Sequence, residues 1–308
     1  MSKHLYSEHL GVVLSRRTSY NYGMVIIYII AAVAAVLLAA AIWSTFSLRT
    51  TELEIALKNL PDEFDGCKFV HISDLHNASF GRGNRRLIRR IENCEPEFIL
   101  VTGDFAGGVS FEHPEKGAFH TLLQGLSPYK VYISFGNHEL RLAYKHTELL
   151  EKQRADIAEC GGILLDNSAA CIERGGAHIN LFGLSVPGER HSGKHAFEIP
   201  DGIFGAALKP RENECNILMA HIPQFFPQYA DAGFDLVLSG HVHGGIIRLP
   251  LLGGVLSPTR RLFPDYCYGF YKAKNTLMFI TAGLGRALVP LRFMCRPEVV
   301  QIVLKKAD

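Results

Sequence analysis

Five short apolar runs in this chain each end in side chains able to hold a metal ion, and that repeated pattern restricts the fold more than any other feature. Phe69-Val70-His71-Ile72-Ser73 leads into Asp74-Leu75-His76. Phe98-Ile99-Leu100-Val101-Thr102-Gly103 leads into Asp104, and Val131-Tyr132-Ile133-Ser134-Phe135-Gly136 into Asn137-His138-Glu139. Asn216-Ile217-Leu218-Met219-Ala220 precedes His221, and Asp235-Leu236-Val237-Leu238-Ser239-Gly240 precedes His241-Val242-His243. Short runs rich in Val, Ile and Leu read as strands buried on both faces. In open α/β sheets, ligands gather outside the carboxyl ends of the strands. Five such ends, drawn from distant parts of the chain, would build one polar cluster at a single sheet edge.

The spacing carries chemistry as well. In Asp74-x-His76 and His241-x-His243 an extended backbone turns both side chains to the same side. Gly103, Gly136 and Gly240 stand where the chain must turn tightly as it leaves the sheet. Imidazole mixed with carboxylate suits Zn, Fe or Mn rather than Ca or Mg. An isolated His-x-His or Gly-Asp is ordinary loop chemistry. The joint occurrence, each after an apolar run, carries the metal reading.

Strand candidates are 68–73, 97–102, 131–135, 179–184, 216–219, 235–238, 277–281 and 299–304, with helices over 84–93, 116–125, 146–160 and 223–232. Alternation of the two predicts an α/β domain with buried sheets covered by helices. The 308 residues are 48% hydrophobic and 20% charged, as in a globular chain, and the net charge of +2 gives no field for a nucleic-acid partner. Seven scattered cysteines form no CxxC, which excludes a zinc ribbon and leaves small buried hydrophobes as the expectation.

Met24–Trp43 is a run of 20 residues without a charge, roughly 30 Å of helix, which matches the hydrocarbon thickness of a bilayer. Trp43 at one end and Tyr20 and Tyr22 at the other suit the aromatic belts. A signal peptide has a shorter apolar core, and a buried helix seldom has an unbroken apolar circumference. The organisation expected is a tail over 1–22, a transmembrane helix over 23–43, a connector and lead-in strand over 44–66, and one globular domain over 67–308. Lys3, Arg16 and Arg17 precede the span, and Arg49 and Lys58 follow it. That bias places the N-terminus in the cytoplasm and the domain on the extracytoplasmic side of the cell membrane. Free cysteines argue mildly for a reducing compartment.

At Asp74-x-His76, Gly103-Asp104, Gly136-Asn137-His138-Glu139, His221 and Gly240-His241-x-His243, the chain resembles the calcineurin-like metallophosphoesterases. SDLHNASFGRGN, GHVHGGIIRLPLLGG and GLGRALVPLRFMCRPEV narrow the resemblance to the membrane-anchored, YkuE/YaeI-type subfamily. It implies a four-layer α/β/β/α sandwich after the transmembrane helix, and two divalent ions, Mn, Fe or Zn, sharing Asp104. By match, Asp74, His76, Asp104 and His243 hold the first ion. Asp104, Asn137, His221 and His241 hold the second. His138 faces the substrate as general acid, with Asp74 as its carboxylate partner. Such a pair of ions clamps a phosphoryl group and acidifies a bridging water for in-line attack on phosphorus. The substrate expected is a phosphorylated small molecule or lipid, and some relatives cleave the pyrophosphate of UDP-2,3-diacylglucosamine. The chain departs from many relatives at Ile246 and at Leu184-Ser185-Val186, positions that bear on substrate choice. A nucleotide or generic phosphodiesterase is the alternative within enzymes, and a membrane-tethered scaffold the alternative outside them.

Other residues stand out by position. Asn77, Asn84 and Arg82 are candidate substrate contacts. Arg82, Arg85, Arg86, Arg89 and Arg90 form a basic cluster that reads first as a solvated helix face, and otherwise as a seat for phosphate or anionic headgroups. His71 and His178 read as core histidines with backbone partners, and His191 and His195 as surface residues. Leu249 to Leu256, followed by Arg260-Arg261, is apolar and broken by Gly and Pro. It reads either as a loop dipping into a lipid interface or as a satellite packed on 287–293.

Overall fold

The computed structural model describes the chain apart from residues 1, 144–145, 187–198, 200–201, 206, 250–251, 258–261, 287–290 and 308. His191, His195, Leu251 and Arg260-Arg261 lie outside the described residues. Two units are present, Met1–Trp43 and Ser44–Asp308. Helix α1 runs over Ser2–Phe46. Its segment Tyr22–Phe46 is long and apolar enough to cross a membrane, and only 6% of an 18-residue stretch within it is buried.

The second unit is built on two six-stranded sheets. The first contains β1 (Arg49–Leu57), β2 (Lys68–Ile72), β3 (Phe98–Thr102), β4 (Lys130–Ser134), β5 (Ile163–Leu164) and β14 (Glu298–Lys306), in the order β1-β14-β2-β3-β4-β5. The second contains β6 (Ser168–Arg174), β7 (Ala177–Leu184), β8 (Asn216–Ala220), β9 (Leu236–Ser239), β12 (Gly269–Ala273) and β13 (Thr276–Ile280), in the order β12-β13-β9-β8-β7-β6. Between β9 and β12 the chain adds a hairpin of β10 (Ile247–Leu249) and β11 (Gly253–Leu256). The helices are α2 (Arg85–Glu92), α3 (Ala118–Gly125), α4 (Asn137–Ala143), α5 (Thr147–Glu159) and α6 (Phe226–Ala232).

Alternation along each strand explains the layering. In β3, Phe98 and Leu100 point between the sheets, whereas Ile99 and Val101 point to the helical side. In β8, Ile217 and Met219 point between the sheets, and Leu218 and Ala220 to the opposite outer face. The inner core therefore joins Phe69, Phe98, Leu100 and Ile302 of the first sheet to Leu181, Ile217, Leu236 and Phe279 of the second. Leu87 and Ile91 of α2, Phe119 and Leu122 of α3, and Leu150 and Ile157 of α5 cover the first sheet outside. Phe226 and Tyr229 of α6 cover the second. The result is the four-layer α/β/β/α sandwich.

The segment expected as connector and lead-in strand supplies β1, which pairs in parallel with β14 from Arg49↔Glu298 to Leu57↔Lys306. Ile55 and Leu57 are buried in the inner core. Each buried side chain of this kind contributes ~1.5–3 kcal/mol, so the strand is part of the domain's stability. His71 is buried as expected, but its Nε2 meets the Thr102 hydroxyl at 2.8 Å rather than a backbone group. His178 corrects the reading: it is exposed beside Glu214, 3.1 Å away, because it faces outward on β7 near the sheet edge.

Candidate metal centre

The parallel strands β2, β3, β4, β8 and β9 point their carboxyl ends to one edge of the sandwich. Asp74 and His76 follow β2, Asp104 follows β3, and Asn137 with His138 opens α4 just past β4. His221 follows β8, and His241 and His243 follow β9. Two glycines make the convergence sterically possible. A Cβ on Gly136 would overlap the Asp104 carboxylate, and one on Gly240 would overlap Ser73 Oγ and the Asp74 carboxylate. The donors themselves are held in an uncommon backbone state. Asp74, His76, Asp104, His241 and His243 all have positive φ, between 45° and 71°.

Three donor groups result: Asp74, His76 and His243; Asp104, His221 and His241; and His76, Asp104 and His138. Ligand atoms about 2.0–2.1 Å from one shared ion lie about 2.9–3.4 Å from each other. His76 Nε2 and His243 Nε2 are 3.1 Å apart, His243 Nε2 and Asp74 Oδ1 are 3.4 Å, and His221 Nε2 and Asp104 Oδ2 are 3.0 Å. Asn137 Oδ1 is buried with no hydrogen-bond partner, as an oxygen meant for a cation would be. The residues present therefore fit divalent ions.

Electrostatics support the same reading. Burial alone would raise the Asp104 carboxyl, but nearby His221, His138 and His76 hold it well below the usual range. Burial works against the His221 imidazolium, yet Asp104 and Asp74 push His221 up to about 10. In the metal-free chain these groups form an ion pair, and a bound cation would displace the proton. His221 Nδ1 donates to the Thr102 carbonyl at 2.6 Å, which aims Nε2 at the cluster. Asp74 is raised, chiefly by burial.

His138 is the more exposed member of the group, with 36% of its side chain accessible. Its Nε2 lies 3.9 Å from Asp104 Oδ2, and its backbone N–H donates to Asp104 Oδ1. Asp104 is a carboxylate beside it, while Asp74 has His76, His221 and His243 within 4 Å. Asn77 Oδ1 accepts from the Ala118 N–H. Asn84 is buried, with its amide accepting from Phe80 N–H and donating to Ala118 O. Arg82 is exposed.

Two residues with no role assigned from sequence organise the cluster. Glu139 is fully buried and accepts backbone N–H bonds from Asp104, Ala106 and Gly136, each at 2.9 Å. Its carboxyl is pushed up to about 7, by burial and then by Asp104. Arg292 is also buried, donating to Ala282 O at 2.7 Å and to Gly285 O, with Nη2 3.2 Å from His243 Nδ1. The Glu after Asn137-His138 and the Arg within GLGRALVPLRFMCRPEV were the available signals. A separate group, His120, Asp156 and Cys160, lies away from these strand ends. Its His120–Asp156 distance of 2.6 Å is that of a hydrogen bond.

Buried His and Asp clusters at the strand ends of an α/β/β/α sandwich are the arrangement of a binuclear metal site. Residues 67–245 match the model of the calcineurin-like phosphoesterases, and the chain belongs to that family. It is 25% identical to the metallophosphoesterase YkuE of Bacillus subtilis, over 85% of this chain and 87% of that one. It is 27% identical to phosphodiesterase YaeI of Escherichia coli, over 77% of this chain and 82% of YaeI. A transmembrane protein with a metallophosphoesterase domain from Danio rerio is 27% identical over 84% of this chain and 58% of its own length. The protein is a metal-dependent phosphoesterase.

Proposed function

We propose that the protein is a membrane-anchored two-metal phosphohydrolase whose substrate is amphiphilic, a phosphoester or pyrophosphate carried on a lipid. Asp74, His76, Asp104 and His243 would hold one ion, and Asp104, Asn137, His221 and His241 the other. When bound, the ions supply Lewis acidity and a water acidified enough to attack phosphorus. His138, half-open to solvent beside Asp104, would protonate the leaving oxygen. The Tyr22–Phe46 segment would serve as the anchor, with the N-terminus in the cytoplasm and the domain outside.

The observation that supports the lipid reading is an exposed apolar patch. Leu249, Leu252, Leu262, Phe263 and Met294 are all exposed. Backbone bonds stitch them together: Phe263 N–H donates to Val255 O, and Arg248 N–H to Phe293 O. Met294 N–H donates to Ser44 Oγ at 3.2 Å, one residue past the end of the apolar run. The hairpin does pack on Phe293, as the satellite reading expected, yet Leu252 remains 61% exposed at its turn. Exposed apolar side chains on neighbouring backbone segments suit a lipid or ligand face.

Mn-dependent turnover of UDP-2,3-diacylglucosamine and of bis-p-nitrophenyl phosphate by full-length protein in detergent tests this. Leu252→Ser with Phe263→Ser should lower turnover of the lipid-linked substrate several-fold and leave the soluble ester unchanged. Equal loss on both, with a lowered melting temperature, overturns the amphiphile reading while leaving the phosphoesterase in place.

A further inference from the structure

A second charged feature lies apart from the metal cluster. Arg85, Arg86, Arg89 and Arg90, with Leu48 and Asn93, line a cavity of about 410 Å³. None of these is a metal-centre residue. The helix that carries the arginines reads Arg-Arg-Leu-Ile-Arg-Arg-Ile-Glu, four cations against one acid. Leu87 and Ile91 are buried in the core beneath, and all four arginines stand in solvent. None of the four has a carboxylate partner among the described residues.

Such a helix works against itself. Arg85 faces Arg89 and Arg86 faces Arg90 at the i, i+4 spacing, where like charges repel. Arg85 and Arg86 occupy the first turn, where the helix dipole disfavours cations, and no acid stands there to compensate. Arg296 adds to the same field. It donates to Ser47 O and Leu48 O, and after burial the charges of Arg49 and Arg90 press its guanidinium down. An anion in the cavity would offset all of these terms together. Arginine forks favour phosphate oxygens, which they meet in pairs.

We infer that this cavity binds the headgroup phosphate of an anionic membrane phospholipid. The covalent chain supplies the reason for a lipid rather than a dissolved anion. Leu48, part of the cavity wall, is five residues past Trp43, the last residue of the apolar run. Five residues reach at most roughly 18 Å even when fully extended. On the proposed reading that the run is embedded, this tether keeps the arginines within reach of the layer where headgroups lie. Each basic residue held there attracts anionic lipid by roughly fivefold in affinity. The site would fix the domain against the bilayer independently of catalysis.

The test uses full-length protein in detergent, with native mass spectrometry after adding dioleoylphosphatidylglycerol or dioleoylphosphatidylcholine. The intact mass first reports whether residues 1–43 are retained, so a failure of the anchor reading shows separately. The expected result is at least tenfold preference for phosphatidylglycerol over phosphatidylcholine, with a melting temperature raised by the anionic lipid. The variant Arg85→Gln/Arg86→Gln/Arg89→Gln/Arg90→Gln should lose both effects while melting no lower than wild type in lipid-free detergent. Arg89→Gln/Arg90→Gln should be intermediate, which keeps the idea testable if the fourfold variant folds poorly. Lys209→Gln/Lys272→Gln, removing two exposed charges of the second sheet's side, should change neither. Unchanged retention in both arginine variants overturns the inference. Displacement of the lipid by equimolar inorganic phosphate also overturns it, because the cavity would then be a site for soluble anions.

Discussion

The two sheets contribute to the metal cluster in different chemical currencies. The first brings both carboxylates, Asp74 and Asp104, with Asn137, His76 and His138, while the second brings imidazoles alone, His221, His241 and His243. Each side is organised by one buried charge of opposite sign. Glu139 gathers the backbone N–H groups of the β3 and β4 turns, and Arg292 gathers the carbonyls of Ala282 and Gly285 beside His243. Glu139 is satisfied by main-chain N–H groups alone and so fixes loops, whereas Arg292 binds two carbonyls and also meets the His243 ring at 3.2 Å. The lesson is that neither sheet holds a complete site. Packing of the inner core brings hard oxygen donors and softer nitrogen donors face to face.

The largest effect should come from removing the carboxylate that meets both sides. Asp104→Asn is expected to lose at least one of two ions per chain and to lower turnover by about 10³-fold or more. Metal analysis showing two ions, with normal turnover, would sink the assignment. The next effect separates the two organisers. Arg292→Met leaves two buried carbonyls without a donor and frees His243, so metal affinity should fall by roughly 10–100-fold. Arg292→Lys should recover part of it. Glu139→Gln should instead strand a backbone N–H and cost about 1–3 kcal/mol of stability. Denaturation and metal titration, run on all three variants, would break the comparison if Arg292 and Glu139 behaved alike.

The smallest effect concerns the seam between the sheets. Burial pushes His71 down to about 3, and its ring meets Phe279 of the second sheet edge-on at 6.4 Å. The folded chain keeps this imidazole neutral, whereas the unfolded chain takes up a proton below about 6.5. Protons favour the unfolded state between those values, so stability is full above about pH 6.5 and falls as pH drops towards 3. The slope from this group is at most ~1.4 kcal/mol per pH unit. His71→Asn should flatten the loss between pH 7 and pH 5, read from urea midpoints. An unchanged slope would place the acid sensitivity elsewhere.

Much of this was legible because ligand chemistry sits directly after apolar runs. The apolar run over 97–102 marks β3, which spans Phe98–Thr102, and the pattern over 146–160 marks the helix Thr147–Glu159. What sequence could not supply was pairing between distant segments. β1 shows no sign that its partner is β14, at the far end of the chain. β6 is half-exposed at a sheet edge and lacks the continuous apolar run that marked the inner strands. Arg292 reads as one more surface cation until the fold buries it against His243. The start of α4 at Asn137 was hidden because the motif there reads as a turn.

The left-handed backbone at Asp74, His76, Asp104, His241 and His243 has a consequence for the protein's thermodynamic design. A non-glycine residue held in that region costs on the order of 1 kcal/mol or more. Five together approach the whole folding stability of an ordinary domain, about 5–15 kcal/mol. Glycine at any one of these positions would relieve its share of that cost and remove a donor in the same stroke. The metal-free chain would gain robustness as it lost its chemistry, so the rest of the sandwich must be stable enough to hold these turns in place before any ion arrives.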